Sequence, residues 1–393
     1  MDSTDRDAAL RAIDPAWQSA FLGELVRIES INPETWPGGS GEAAMARRIA
    51  AELEALGLQP RLDEPAPGRT SAVASQPGTG SRTLLLEAHT DTVQVEGMTE
   101  PFSARVAGGR MYGRGACDDK ASVVAFLGAV RALRQSGVTP PVTVTFAATS
   151  GEEFSGIGIR ALMKDGLRAD GAIVGEPTRL DVVVAHKGVL RSELVVHGRA
   201  AHSSAPAEGR NAIDAVAAIL PALQAALTPQ LQTRAHPLVG APTLAFTQIA
   251  GGAGPNTIPE RCTVGFDRRL VPGETPESAL AELRALLAAM PLPDGIRAEI
   301  TDASISGGPV GADPDGPLAQ AVLAGARRHR PASSIIGVPY GTDASHIALY
   351  GVPTVIFGPG DIAQAHAAVE WVDLAEVNLA TAMIVDAIFA FAR

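Results

Sequence analysis

The 393-residue sequence contains only two cysteines, Cys117 and Cys262. That is too few for a disulfide framework, and neither has a Cys or His neighbour at zinc-finger spacing. A reducing, cytoplasmic compartment is the expectation. There is no basic excess either: 32 Lys and Arg stand against 43 Asp and Glu, a net charge of −11. This excludes the cationic footprint that nucleic acid requires. No uninterrupted apolar run approaches the roughly 18 residues of a membrane span, so no membrane association is expected. The opening "MDSTDRDAALRAID" lacks the basic start and apolar core of a secretory signal. Aromatic residues make up 4% of the chain, which argues weakly against a large aromatic cage around a ligand. The remaining balance, 46% hydrophobic and 19% charged, is that of a globular protein, and the length predicts two domains.

Helical and strand patterns alternate through the first half. "PAWQSAFLGELVRIES" and "GEAAMARRIAAELEALGL" have helical apolar spacing, the second stopping at Gly57. "TLLLEAH", "PVTVTFAA" and "GAIVGEP" read as buried strands, separated by helices at "DKASVVAFLGAVRALRQSG" and "SGIGIRALMKDG". Such alternation predicts an α/β sheet with helices on both faces. Near Lys187 the pattern changes. "GVLRSELVVHG" alternates apolar and polar residues, and the following order of helix, two strands, helix and strand completes a ferredoxin-like β-α-β-β-α-β unit. After the Gly/Pro/Asp-rich "SISGGPVGADPDG" the first style returns, with the strand "PTVIFG" and a last helix from Asp373. The expected organisation is an α/β domain over residues 1–184 and 304–393, interrupted by an inserted α+β domain over residues 185–303.

Ligands of open parallel sheets bind beyond the carboxyl ends of the strands. Here "TLLLEA" is followed by His89-Thr90-Asp91, "VTVTFAA" by Glu152 and Glu153, "GAIV" by Glu176, and "PTVIFG" by a loop containing His366. Asp118 and Asp119 open the helix in between. Each residue has an ordinary explanation. A histidine at a strand end commonly makes only a hydrogen bond, paired Asp residues suit a helix N-terminus, and adjacent glutamates can be solvated. Their recurrence after nearly every strand points instead to one site built of oxygen and imidazole donors. Asp91, two residues beyond His89, is placed to accept the second imidazole N–H, which would fix the ring for metal binding. Other chemistries do not fit. "GRGACDDKAS" carries Asp119 where a phosphate loop has Gly, "GGAGPN" leads into no helix, and no G-x-S-x-G elbow is present.

The motifs "HTDTV", "GRGACDDK", "TSGEEFSG", "GEPT", "AHSSAPAEGRNAI", "GPNTIPERCTVGFDRR", "GTDASH" and "FGPGDIAQAHAAVEWV" span almost the whole chain. In that order they resemble the di-zinc deacylases and exopeptidases grouped around acetylornithine deacetylase, succinyl-diaminopimelate desuccinylase, aminoacylase and glutamate carboxypeptidase. The resemblance implies a zinc-exopeptidase-like mixed sheet and an inserted lid and dimerisation domain. It implies two divalent metal ions about 3.5 Å apart, zinc by the donor types, with cobalt or manganese as substitutes. Asp118 would bridge them, His89 and Glu176 would complete one, and Glu153 and His366 the other. Asp91 would orient His89, and the peptide between Asp118 and Asp119 would be cis.

Glu152 is implied as the general acid/base, taking a proton from a metal-bridged hydroxide's parent water and passing it to the departing amine. His202 matches a lid histidine that stabilises the oxyanion from the partner subunit of a homodimer. Arg269, Asn256, Gly341 and Thr342 match positions that bind a substrate carboxylate. The implied activity is hydrolysis of a small N-acyl amino acid, with release of a C-terminal residue from a short peptide as the alternative. A non-catalytic binding protein and a bimetal phosphoesterase are the readings from other classes.

Overall fold

The structure, a computed structural model, describes residues 3–392. Met1 and Asp2, at the head of the acidic opening segment, lie outside the described residues; Ser3–Arg11 is helical. The chain divides into two compact units. One comprises the residues up to Val184, Ala312–Ile336 and those from Thr342 onward; the other comprises Ala185–Gly311 and Gly337–Gly341.

In the first unit, continuous apolar strands occupy the middle of a mixed sheet. Thr143–Thr149, Thr83–His89, Gly171–Val174 and Thr354–Ile356 lie side by side in that order and run parallel. Their β-branched and leucine-rich sequences suit burial on both faces. The helix Lys120–Gln135 is buried nearly all round, and its Phe126, Leu127 and Val130 share one core with Leu86, Phe146, Ile384 and Ile388. The C-terminal helix Leu374–Phe391 begins where the Asp373 carboxylate accepts the Ala375 N–H at 2.9 Å. Beyond the predicted strands, the hairpin Arg61–Ala66 and Arg69–Gln76 extends the sheet antiparallel to Thr143–Thr149. The first of these strands is largely exposed, so it carries no apolar run to betray it.

Two helices, Ala212–Gln232 and Leu374–Phe391, reach the length and mean apolarity of a membrane span, where the sequence had suggested none. Both turn apolar faces into a protein core, Leu374–Phe391 through Val377, Ala380, Ile384 and Ile388, and Ala212–Gln232 through Val216, Ile219 and Leu223. Buried core helices commonly meet that criterion.

The second unit holds an antiparallel sheet in the order Thr243–Gly251, Arg261–Leu270, Gly188–His197, Arg297–Ile300. With helices Ala212–Gln232 and Pro276–Ala288 between strands, the chain order is that of a ferredoxin-like unit. Arg261–Leu270 alternates strictly between buried and less buried residues, and its Cys262, Val264 and Phe266 pack with Leu194, Val216 and Leu283. Asn211 and Thr275 cap the two helices through their side chains. The chain re-enters the first unit at Ala312, later than the expected residue 304. Ile305–Gly307 still pairs with Val189–Arg191, and Val310–Gly311 with Ala185 and His186.

His186 is fully buried; its Nδ1 lies 2.9 Å from the Lys187 carbonyl, and its Nε2 has no hydrogen-bond partner. Burial therefore pushes the imidazole down from 6.5 to about 4. The folded chain keeps this ring neutral while the unfolded chain protonates it first. The contribution to stability is thus complete above pH 6.5 and falls as pH drops toward 4, by about 3 kcal/mol in all. Urea unfolding of the wild type and His186→Gln at pH 7, 6 and 5 should show stabilities that converge as pH falls; a constant difference would refute the assignment.

Candidate metal centre

The parallel strands set the site by register. His89, the last residue of its strand, pairs with Thr149, the last of the neighbouring strand. The turn Gly151-Glu152-Glu153 therefore emerges beside the imidazole. Gly171–Val174, on the other flank, delivers Glu176 two residues past its end, and Thr354–Ile356 leads to the loop of His366. Gly151 has φ 87°, and a Cβ there would come within 2.7 Å of Ile157, so the turn accepts only glycine. Asp118 comes from the segment before Lys120–Gln135, and its peptide bond to Asp119 is cis.

Asp118 lies between the two histidines. Its Oδ1 is 3.1 Å from His89 Nε2 and its Oδ2 is 3.5 Å from His366 Nε2. His366 Nε2 also lies 3.0 Å from Glu153 Oε2. Donor atoms of Asp118, Glu153 and His366 fall within 4.8 Å of one another, as do those of His89, Glu152 and Glu176. Glu152, read from sequence as a proton carrier and not as a ligand, thus shares one group with His89 and Glu176.

The Asp91 carboxylate lies beside His89 and also reaches the turn that carries both glutamates. The nearest acceptor to His89 Nδ1 is the Asp91 backbone carbonyl at 3.1 Å; the carboxylate is 3.5 Å away. That carboxylate also accepts the backbone N–H of Gly151 (2.9 Å), Glu152 (3.1 Å) and Glu153 (3.1 Å), and the Asn32 side-chain amide (2.8 Å). One fully buried carboxylate therefore orients the turn carrying both glutamates. Burial opposes ionisation, but the hydrogen bond and charge of His89, followed by the Asn32 and backbone donors, outweigh it, so its pKa falls below the usual value. Asn32 escaped the sequence reading because nothing in "INPE" marks it. Asp343 of "GTDASH" also escaped it, although it is buried and its charge acts on Glu152.

The electrostatics of the cluster are one-sided. Burial, and then neighbouring carboxylates, push Glu152 and Glu176 well above the carboxylate range, and Glu153 upward. Burial also pushes up Asp119, which starts Lys120–Gln135 without capping it through its side chain. Asp118, like Asp91, goes down: burial opposes ionisation, but the hydrogen bond from His89 and the charges of both histidines prevail. His89 rises well above 6.5 against its own burial, through Asp118 and Asp91. A cation among these groups would let the carboxylates ionise without mutual repulsion. Imidazole nitrogen and carboxylate oxygen are donors that suit a divalent transition metal. The residues therefore fit such ions.

The substrate positions predicted from sequence divide between the units. Thr342 is a buried residue of the first unit. His202, Asn256, Arg269 and Gly341 belong to the second. His202 Nδ1 lies 2.7 Å from Ser204 Oγ on an exposed segment. Arg269 Nε donates to Asp267 at 2.7 Å, and Arg191 Nε donates to the same carboxylate at 2.9 Å. The Asn256 carbonyl accepts the Ser203 N–H at 2.9 Å.

Comparison with known proteins adds the following. Residues 85–390 match the Peptidase family M20/M25/M40. The chain is 31% identical over 367 residues to an acetylornithine deacetylase of Proteus mirabilis (strain HI4320), covering 90% of this chain and 92% of that one. Its fold resembles an aminopeptidase from Bacillus cereus ATCC 10987, with TM-score 0.79 and 20% identity over 97% of this chain and 100% of the other. It also resembles an M20 family metallo-carboxypeptidase from Sulfolobus solfataricus, with TM-score 0.77 and 21% identity over 95% and 99% of the two chains.

If Asp91 holds the glutamate turn, Asp91→Ala should release it. Hydrogen bonds to a charged group contribute about 1.5–3 kcal/mol each, so the amides of Gly151, Glu152 and Glu153 should exchange with deuterium at least about tenfold faster. Unchanged protection of a folded variant would show that the turn is held by other contacts.

Proposed function

The chain belongs to peptidase family M20/M25/M40, and from that premise we propose that it hydrolyses the amide bond of a small N-acyl amino acid. It is a metal-dependent hydrolase of amide or peptide bonds. The observation that carries the finer reading is Glu152, grouped with Glu176 and with His89, whose Nε2 meets the Asp118 carboxylate that lies between two imidazoles. The acyl amino acid is suggested by the acetylornithine deacetylase relative at 31% identity.

His89, Asp118, Glu153, Glu176 and His366 would hold two divalent ions, zinc by donor type, with cobalt or manganese as substitutes. When bound, such ions polarise a carbonyl and lower the pKa of water toward about 7. Glu152 takes the proton from the attacking water and returns it to the leaving nitrogen, which cannot depart as an anion. Asp91 keeps the Glu152 backbone in place through the amide contacts at 2.9–3.1 Å. His202 would donate to the oxyanion, and Arg269, Asn256, Gly341 and Thr342 would bind the substrate carboxylate.

A homodimer through the second unit belongs to the same reading. Thr243–Gly251 is an edge strand, mostly exposed, with Ile249 65% accessible. An unpaired, exposed edge favours pairing with a second copy. Two copies related by a twofold axis could exchange His202 between active sites.

In metal-loaded protein, Glu152→Gln should lower kcat on N-acetyl, N-succinyl or N-formyl amino acids by about 10²–10⁴-fold, with both metal ions retained. Comparable rates for variant and wild type would remove Glu152 from the mechanism. Turnover of dipeptides with none of the acyl amino acids would move the assignment to a peptidase.

A further inference from the structure

We propose that Glu370 is a positioning residue that sets the Asp118 carboxylate between His89 and His366 by accepting the backbone N–H groups of Cys117 and Asp118. The proposal rests on the reading of the cluster as a two-metal site.

Glu370 is 1% exposed and stands four residues after His366. Its Oε1 accepts the N–H of Cys117 at 2.9 Å and that of Asp118 at 3.1 Å. Its Oε2 accepts Arg114 Nη1 at 2.6 Å. Arg114, also buried, is fixed in turn: its Nε and Nη2 both donate to the Gln94 carbonyl, at 3.1 and 2.9 Å. The backbone around Glu370 is tied to the same region. Its carbonyl accepts the Gly113 N–H at 3.1 Å, and Trp371–Asp373 pairs antiparallel with Arg110–Tyr112.

A buried carboxylate is costly unless its oxygens are satisfied. This one meets two amide donors and a guanidinium, so it is held in place from both sides. One of the two amides belongs to Asp118 itself. The position of the Asp118 backbone is therefore referred to the loop that also carries His366, although Asp118 and Glu370 lie 252 residues apart in the sequence. The separations of 3.1 Å to His89 and 3.5 Å to His366 depend on that reference. A carboxylate shared between two ions tolerates little displacement, because a shift toward one histidine is a shift away from the other.

Cobalt titration of the full chain, followed by visible absorption and by chelator competition, tests this. Wild type should bind two Co²⁺ per chain. Glu370→Ala should bind one of them about 10- to 100-fold more weakly, with a changed absorption band. The double variant Glu370→Gln with Arg114→Gln keeps an acceptor for both amides and exchanges the ion pair for a neutral hydrogen bond, so it should restore both affinity and spectrum. If Glu370 served only to neutralise Arg114, Glu370→Ala combined with Arg114→Gln, which removes the guanidinium without giving the two amides an acceptor, would recover the wild-type affinity, and that result would overturn the proposal. So would a folded Glu370→Ala with wild-type affinity and band. Should Glu370→Ala not fold, Glu370→Asp, one methylene too short to reach both amides, takes its place with the same two outcomes. A wild-type chain that takes up no cobalt overturns the reading of the site and this proposal together, whereas wild-type binding in the variants overturns the proposal alone.

Discussion

The arrangement of the first unit depends on one carboxylate held between two imidazoles. Asp118 faces His89 with one oxygen and His366 with the other, and its neighbours Glu152, Glu153 and Glu176 crowd the same small volume. In a low dielectric such a gathering opposes its own ionisation. The upward push on the three glutamates expresses that opposition. Only added positive charge relieves it, which is why the chemistry of a metal-dependent family and the electrostatics of this cluster lead to the same conclusion.

Two other buried carboxylates hold the cluster without belonging to it. Asp91 gathers the amides of the glutamate turn, and Glu370 gathers those of Cys117 and Asp118. Each spends a negative charge on backbone donors that would otherwise be buried unpaired. Placement of side chains is thereby transferred to placement of the backbone, which is more rigid. The parallel strands supply the remaining alignment, since a shared register makes neighbouring strands end side by side.

The donors were legible in the sequence for a simple reason. His89, Glu152, Glu153, Glu176 and His366 each follow a recognisable apolar strand, and Asp118 opens a helix, so topology alone sends them to one rim. Asn32, Asp343 and Glu370 carried no such signal. Their importance lies in which donors and neighbours they meet, and those belong to distant segments. The Arg61–Gln76 hairpin went unread because its outer strand is exposed and polar. The return to the first unit was read too early because the strands at 305–307 and 310–311 sit in a Gly- and Pro-rich stretch.

By itself, the sequence determined the alternation of buried strands and helices, the ferredoxin-like order of the second unit, and the types of donor available, because these follow from local periodicity and residue chemistry. Tertiary structure decided that Asp91 gathers the amides of the glutamate turn as well as meeting His89, that Glu152 joins His89 and Glu176 in one group, and that Glu370 meets the Asp118 backbone. The physical reason is that a hydrogen bond or a charge interaction is fixed by a few ångströms of separation. Residues far apart along the chain acquire that separation only when the sheet and its loops have closed around them.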